Sequence, residues 1–489
     1  MAHRAISYSP ADVARKSLRG AVALGIRQVI TQGANAAGSI LLARVLSPTQ
    51  FGLVAVLTFG ISFLTSFGGT GFAASLIREP AEPVEDDYRA LFTVQELVVL
   101  VIAAAVVVIA PNIARTYHLP PENAWLFRLA ALAFALTSLM VVPQVRLERH
   151  LDFGRLAVVE VAQALVYNAV AVLLALRGWG ALSLAVALVV RSAMGAAMIN
   201  LVNPWRPALR WDWARVRTHL SFGLPYQGIA AVSLMKDSVT PVFIGLLLGT
   251  QSVGYISWAS FVSTYPVLAL FALQRMYLPV FARLQTAPGL ARYVEQTIWA
   301  TNALVAPLAV LTLAFITPIT HLVFGDQWLG ALPLFYILWV ANLSIATATP
   351  VLGLLNALGR SRTTFAFAAI CAATMWAAGV PLSWRFGAVG IAWADLAVQV
   401  PTLLFFRAAQ ARVPFRILPV VVPPWIWAAI VGLLLFGAQH FRPITRLTDL
   451  VVYFACGLTV YGAGLAGAYR RELGRAWLSW KRSIWSPAF

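Results

Sequence analysis

Charge is what this chain has least of. Only 11% of its 489 residues are Asp, Glu, Lys or Arg, against about 25% in an average soluble domain. No Asp-x-Asp triplet occurs and no His-Asp constellation is visible, which sets a membrane glycosyltransferase or polymerase far back. Polar stretches are short too. The longest, 203–219, has no room for a soluble domain. Cysteine numbers two; Cys371 ("AICAAT") and Cys456 ("YFACGL") each stand alone in an apolar run, so neither a disulfide nor a metal site is implied. Segments that alternate apolar and polar residues over ten positions are missing, and with them any transmembrane barrel.

What fills the chain instead is apolar: 60% hydrophobic residues and a mean hydropathy of +0.79. Runs near twenty residues recur from end to end, each able to cross a ~30 Å hydrocarbon layer as a helix. Fourteen spans are predicted, at 20–43, 50–77, 91–110, 125–143, 156–176, 180–202, 220–248, 251–274, 295–317, 331–357, 363–384, 387–406, 417–439 and 449–469. The first is too long for a signal-peptide core and reads as a retained helix. The expected fold class is an all-α polytopic membrane protein.

A net charge of +18 suggests nucleic acid until its distribution is read. With the N-terminus cytoplasmic, the cytoplasmic segments hold 26 of the 36 basic residues, the opposite face six and the spans four. That split orients the chain by the positive-inside rule, and an even number of spans puts both termini in the cytoplasm. The positive charge is then a topology signal and an attraction to anionic lipid headgroups. No nucleic-acid partner is expected. Tryptophans at 125, 179, 205, 211, 213 and 328 fall near span ends, where interface anchoring is the default, and the "WLSWKRSIW" tail reads as an interfacial helix.

The sequence also echoes itself. "LARVLSPTQFGLVAVLTF" (43–60) and "IGLLLGTQSVGYISWASF" (244–261) match at a shift of 202, Leu46 on Leu248 and Gly52 on Gly254. "GALSLA" (180–185) meets "GAVGIA" (387–392) at a shift of 207. Two matches in the same order at nearly one shift indicate a duplication. Six helices separate the copies, so both point the same way, as in transporters that alternate access around a midplane site. The expected organisation is a cytoplasmic segment 1–19, an N-lobe 20–202, a linker 203–219, a C-lobe 220–416, two extra helices in 417–469 and a cytoplasmic tail 470–489. The first turn has its own logic: Ser47, Pro48 and Gln50 spell a capping box with Pro at the first helical position.

"LLARVLSPTQFGLVAVLTFGISFLTSFGGTGFAASLI" resembles the opening of bacterial polysaccharide-export flippases of the multidrug/oligosaccharidyl-lipid/polysaccharide (MOP) superfamily. "RLERHLDFGRLAVVEV" (146–161), "FGDQWLGALPLFYIL" (324–338) and "LNALGRSRTTF" (355–365) carry the likeness across the chain. Where many such families have Gly-Asp or Gly-Leu near the end of helix two, this chain has Gly69-Thr70-Gly71. The resemblance implies two six-helix bundles in a V. It also implies transport, without enzymatic chemistry, of undecaprenyl-diphosphate-linked oligosaccharide between leaflets of the bacterial inner membrane. A polysaccharide polymerase and chain-length machinery are candidate partners; no cofactor is expected beyond an H+ or Na+ gradient. A multidrug or cation antiporter of the same superfamily is the rival reading, but its cavity should be more acidic than the basic balance seen within these spans.

Charges inside spans cost roughly 2.5–3.5 kcal/mol each at mid-membrane on insertion scales, so they should face protein or water. Helix one carries Arg27, Thr31, Asn35 and Ser39 at steps of four. Helix five carries Glu160, Gln163 and Tyr167; helix twelve carries Asp395, Gln399 and Thr402. Arg191 lies mid-helix six, and Lys236 with Asp237 lies in helix seven, Asp237 aligning with Asn35. Arg27, Arg191 and Lys236 are the candidate diphosphate ligands, because charge-assisted bonds can replace the water a diphosphate loses. Asn35, Glu160, Asp237, Asp395 and Gln399 are the candidate cavity or coupling residues. The competing structural reading is that each cation sits in a fixed ion pair.

Overall fold

The computed structural model describes residues 10–68, 72–79, 82–219, 232, 234–285 and 289–468. Gly69–Gly71, much of the seventh span, the first nine residues and the basic aromatic tail lie outside the described residues. Among those described the chain is all-helical. Eleven helices are long and apolar enough to cross a membrane, and this is a multi-pass membrane protein. Of the three other expected spans, 20–43 lies inside the 36-residue helix α1 (Pro10–Val45). The span 220–248 is described only in part, with a π-helical turn at Val239–Ile244 and a last α-helical turn at Gly245–Leu248. The span 251–274 is broken: helix Thr250–Thr264 gives way to a 3-10 stretch, Tyr265–Leu270, before a helix resumes at Phe271.

Two compact units form. Unit 1 holds Met1–Trp258 and Ala368–Ala394; unit 2 holds Ala259–Phe367 and Asp395–Phe489. These units follow packing and are bounded differently from the sequence repeat.

Within unit 1 the chain runs back and forth through α1, α2 (Pro48–Gly68), the short α3 (Phe72–Arg78), α4 (Glu85–Thr116), α5 (Ala124–Ser138), α6 (Val141–Arg149), α7 (Phe153–Leu176) and α8 (Leu182–Val202). The α1–α2 turn is the expected capping box: the Ser47 amide donates to Gln50 Oε1 at 3.1 Å, and the Gln50 amide donates to Ser47 Oγ at 3.3 Å.

The repeat glycines of this turn meet each other. A Cβ on Gly52 would stand 1.7 Å from the Thr250 carbonyl oxygen, and one on Gly254 would stand 1.9 Å from the Pro48 carbonyl oxygen. Pro48 and Thr250 are themselves related by the shift of 202, so the contact is the same on both sides, as at a two-fold axis. Only hydrogen at both positions allows backbones this close.

The other end of unit 1 gathers charge. Asp86 pairs with Arg210 at 2.5 Å, Asp87 pairs with Arg215, and Arg149 reaches Glu82 at 3.5 Å. Trp205, expected as an interface anchor, is instead buried and donates Nε1–H to Glu85 at 2.7 Å. Trp328 is fully buried as well. Asp212 accepts from the Arg215 amide at 3.3 Å and from its Nε at 2.8 Å. These contacts, the backbone one first, hold the Asp212 carboxyl below the usual carboxylate range.

In unit 2 the long helix α9 (Leu290–Ala314) carries the last two helices, α10 (Leu418–Phe441) and α11 (Leu447–Ala468). Trp425 Nε1 donates to Asn302 Oδ1 at 2.9 Å, and Tyr461 Oη donates to the Ala303 carbonyl at 3.0 Å. Gly432 and Gly457 lie directly against Val310 and Leu311. The two helices outside the repeat are thus fastened to α9.

Candidate functional site: a polar seam in unit 1

Helices α1 and α7 run parallel and share a polar seam. Arg27 on α1 bonds Glu160 on α7, and two turns on Asn35 Oδ1 accepts from Asn168 Nδ2 at 3.0 Å. Both rungs join positions 133 apart, which keeps the helices in register. Gly38 makes this possible, since a Cβ there would stand 1.8 Å from Asn168 Oδ1. Thr31 turns its hydroxyl back to the Arg27 carbonyl at 2.9 Å. On the side of α7 facing α8, Gln163 fills the space above Gly195 and its Nε2 reaches Met140 Sδ at 3.3 Å. Arg191 on α8 lies over the Tyr167 ring at 5.8 Å.

The three candidate cations therefore have three different settings. Arg27 is half-buried and ion-paired. Lys236 is paired with its neighbour Asp237 at 3.3 Å, and neither bonds to the seam. Arg191 is exposed, and among the described residues no carboxylate pairs with it. For Arg27 and Lys236 the fixed-ion-pair reading describes this conformation; Arg191 is the cation that remains open to an anionic ligand.

Asp395 and Gln399 belong to unit 2. Gln399 Oε1 accepts from Ser344 Oγ at 2.5 Å, and its Nε2 reaches the Asp395 carbonyl at 3.4 Å. Gln399 and Thr402 line a cleft of about 850 Å³ that is walled by apolar side chains and bears Arg407 and Arg416. The arginines fall among the basic loop residues, which the sequence reading counted only as topology signals.

Glu96 on α4 was not among the candidate residues singled out in the sequence. It is buried, accepts from Ser138 Oγ at 3.0 Å, and leaves its other carboxylate oxygen without a partner. Its isolation depends on the packing of α4 against α5, which no one-dimensional pattern records. No cluster of three metal-ligating side chains occurs among the described residues.

An all-helical, many-span chain with polar seams inside its bundles belongs among polytopic membrane transporters. The solved structure of the lipid II flippase MurJ in an inward closed conformation has this fold, with a TM-score of 0.75 at 13% identity over 93% of this chain and all of that one. An inward-facing multidrug resistance MATE family transporter of the MOP superfamily aligns over 80% of this chain and 98% of its own, with a TM-score of 0.53 and 15% identity.

In sequence, the succinoglycan biosynthesis transport protein ExoT of Rhizobium meliloti (strain 1021) is 26% identical, covering 68% of this chain and 67% of that protein. The lipopolysaccharide biosynthesis protein WzxC of Escherichia coli (strain K12) is 23% identical over 79% of each. A family model described as polysaccharide biosynthesis protein matches residues 41–333. The chain belongs to that family.

Proposed function

We propose that this protein is a flippase that carries undecaprenyl-diphosphate-linked oligosaccharide from the cytoplasmic to the outer leaflet of a bacterial inner membrane, for exopolysaccharide, capsule or O-antigen synthesis. Support comes from the family match, from relatives whose names place them in polysaccharide transport and synthesis, and from a fold shared with a lipid II flippase. The observation that carries it is Arg191: an exposed guanidinium on a mid-span helix turn, braced by an aromatic face and unclaimed by any carboxylate among the described residues. A cation left in that state at mid-span is costly unless water or an anion meets it, and a diphosphate is an anion that Arg can grip with two parallel bonds.

The two lobes of the repeat alternate access around this charge, with both termini cytoplasmic. Arg27 and Lys236 exchange their internal carboxylates for substrate when the lobes rearrange, and the freed Glu160 or Asp237 is available to a coupling ion. The deciding experiment is deletion of the gene. Lipid-linked oligosaccharide should accumulate on the cytoplasmic side and polymer should disappear. Continued polymer export without accumulation would defeat the reading.

A further inference from the structure

At the end of unit 1 away from the charged cluster lies a cleft of about 940 Å³, in the ~300–1,000 Å³ range of small-molecule sites. Its walls are the start of α2, the turn from α4 to α5, the α7–α8 turn and the 248–251 junction. The cleft therefore opens beside the Gly52–Gly254 contact and is built from both copies of the repeated turn.

Its chemistry is specific. Two indoles line it, Trp125 at 59% and Trp179 at 48% exposure. The side-chain amides of Gln50, Asn123 and Gln251 line it as well, with the hydroxyls of Thr49 and Thr250. Among the described residues that line it, Glu122 is the one carboxylate and His118 the one imidazole, and neither Lys nor Arg occurs, in a chain whose net charge is +18.

The walls are also built with care for shape. His118, Gly178, Gly180 and Gly249 all hold positive φ, at 56°, 83°, 55° and 80°. His118 follows the Tyr117 C-cap and makes the left-handed turn that ends α4, with the Leu119 amide donating to the Ala114 carbonyl at 2.9 Å. Gly180 leaves room for the side chain of Gln50, whose Oε1 caps α2 and whose Nε2 would be 2.5 Å from a Cβ there. The guanidinium of Arg128 stacks 4.9 Å from the Trp125 ring centre and braces the indole.

We propose that this cleft is a carbohydrate subsite that receives a neutral hexose unit of the oligosaccharide head on the side to which the head is delivered. The proposal rests on the flippase reading and on the orientation set by the positive-inside rule. Indole faces offer apolar platforms to the C–H faces of a sugar ring. The Asn123 amide offers a paired donor and acceptor to adjacent hydroxyls, Gln50 the Nε2 donor beside its cap, and Gln251 the Oε1 acceptor beside its bond to Tyr255. A phosphate needs cations or aimed backbone amides. The described lining holds no Lys or Arg, and the guanidinium of Arg128 lies on the Trp125 ring, so the lining favours the sugar over the diphosphate and over a phospholipid headgroup. The diphosphate is held at the seam, the sugar at the outer end.

The test is photo-crosslinking in host cells making their own polysaccharide. A benzophenone amino acid replaces Thr49 or Gln251, and the irradiated, purified protein is digested and its adducts are weighed by mass spectrometry. Hexose-bearing adducts should form at both sites. They should fall at least ten-fold when Trp125→Leu and Trp179→Leu are added, substitutions that keep apolar bulk for membrane anchoring and remove the rings. Trp125→Phe with Trp179→Phe should restore part of the signal, separating ring loss from misfolding. Phospholipid adducts alone, no adducts, or glycan adducts indifferent to the rings would each overturn the proposal. Its failure is distinct from that of the flippase reading: if the deletion strain accumulates lipid-linked oligosaccharide but no glycan reaches the cleft, only the cleft assignment falls.

Discussion

At the scale of single residues, the seam separates a charge that holds helices together from one that is open. Removing Arg27 leaves Glu160 half-buried and uncompensated, a loss on the order of 1–3 kcal/mol. Arg27→Gln and Glu160→Gln should each lower the melting temperature in detergent, and the double substitution should recover most of the loss; a double variant worse than either single would contradict a simple pair. Arg191 behaves differently, because among the described residues no carboxylate pairs with it to be stranded by its loss. Arg191→Ala forfeits about 0.5–1 kcal/mol of contact with Tyr167, so the protein should reach the membrane in normal amount while polymer export stops. Arg191→Lys keeps the charge without the planar fork and should retain part of the export. Wild-type export by a well-folded Arg191→Ala protein would move the diphosphate site elsewhere. Arg27, Asn35, Glu160 and Gln163 were legible in sequence as polar stripes at helical spacing; Asn168 and Gly38, which complete the second rung, were not marked. The pairing was not legible either, since the offset of 133 that joins Arg27 to Glu160 is a property of packing.

At the scale of elements, the repeated turn shows what a sequence echo can and cannot say. The shift of 202 marked Gly52 and Gly254 as equivalent, and the second anchor placed Gly180 opposite Gly387, two glycines that share a left-handed φ of 55° and 61°. Equivalence was therefore readable. Contact was not: a glycine has no side chain whose polarity could advertise a neighbour, and the meeting of the two turns appears only in three dimensions. The contact makes a sharp prediction. Gly52→Ala and Gly254→Ala each force a methyl into the opposing backbone, and each should cost about 1–3 kcal/mol as overpacking. The backbones need to separate only once, so the double variant should cost clearly less than the sum of the singles. Additive losses in thermal melts would mean that the glycines act independently. The broken eighth span was almost as well hidden. Its one mark in the sequence is Pro266, which cannot donate to the preceding turn and stands second in the 3-10 stretch Tyr265–Leu270; the surrounding residues stay apolar, so a hydropathy count passes over the break.

At the scale of the whole molecule, the ends of unit 1 differ in kind, and that difference is open to direct measurement. One end holds the ion pairs of Asp86, Asp87, Arg149, Arg210 and Arg215; the other holds the tryptophan-lined cleft, with Glu122 its one carboxylate among the described residues. Arg149, Arg210 and Arg215 at that first end come from two loops that charge counting along the chain groups on one side. Acid should act on the charged end: the Asp212 pKa is depressed in the folded protein, so its contribution is present above the unfolded value near 4 and is lost as pH falls below it. A melt repeated from pH 7 to pH 3 should drop, and Asp212→Asn should flatten part of that drop; an unchanged slope would remove Asp212 from the account. Orientation itself is tested by labelling. Cys456 is exposed and Cys371 buried, so Cys456→Ser supplies the background. In intact cells a membrane-impermeant maleimide should then modify Asn123→Cys at the cleft end and spare Arg206→Cys in the linker. Permeabilised cells should label both. The reverse pattern would place the basic loops outside, against the 26-to-6 distribution of charge, and would put the cleft on the side where lipid-linked sugars are made rather than where they are delivered.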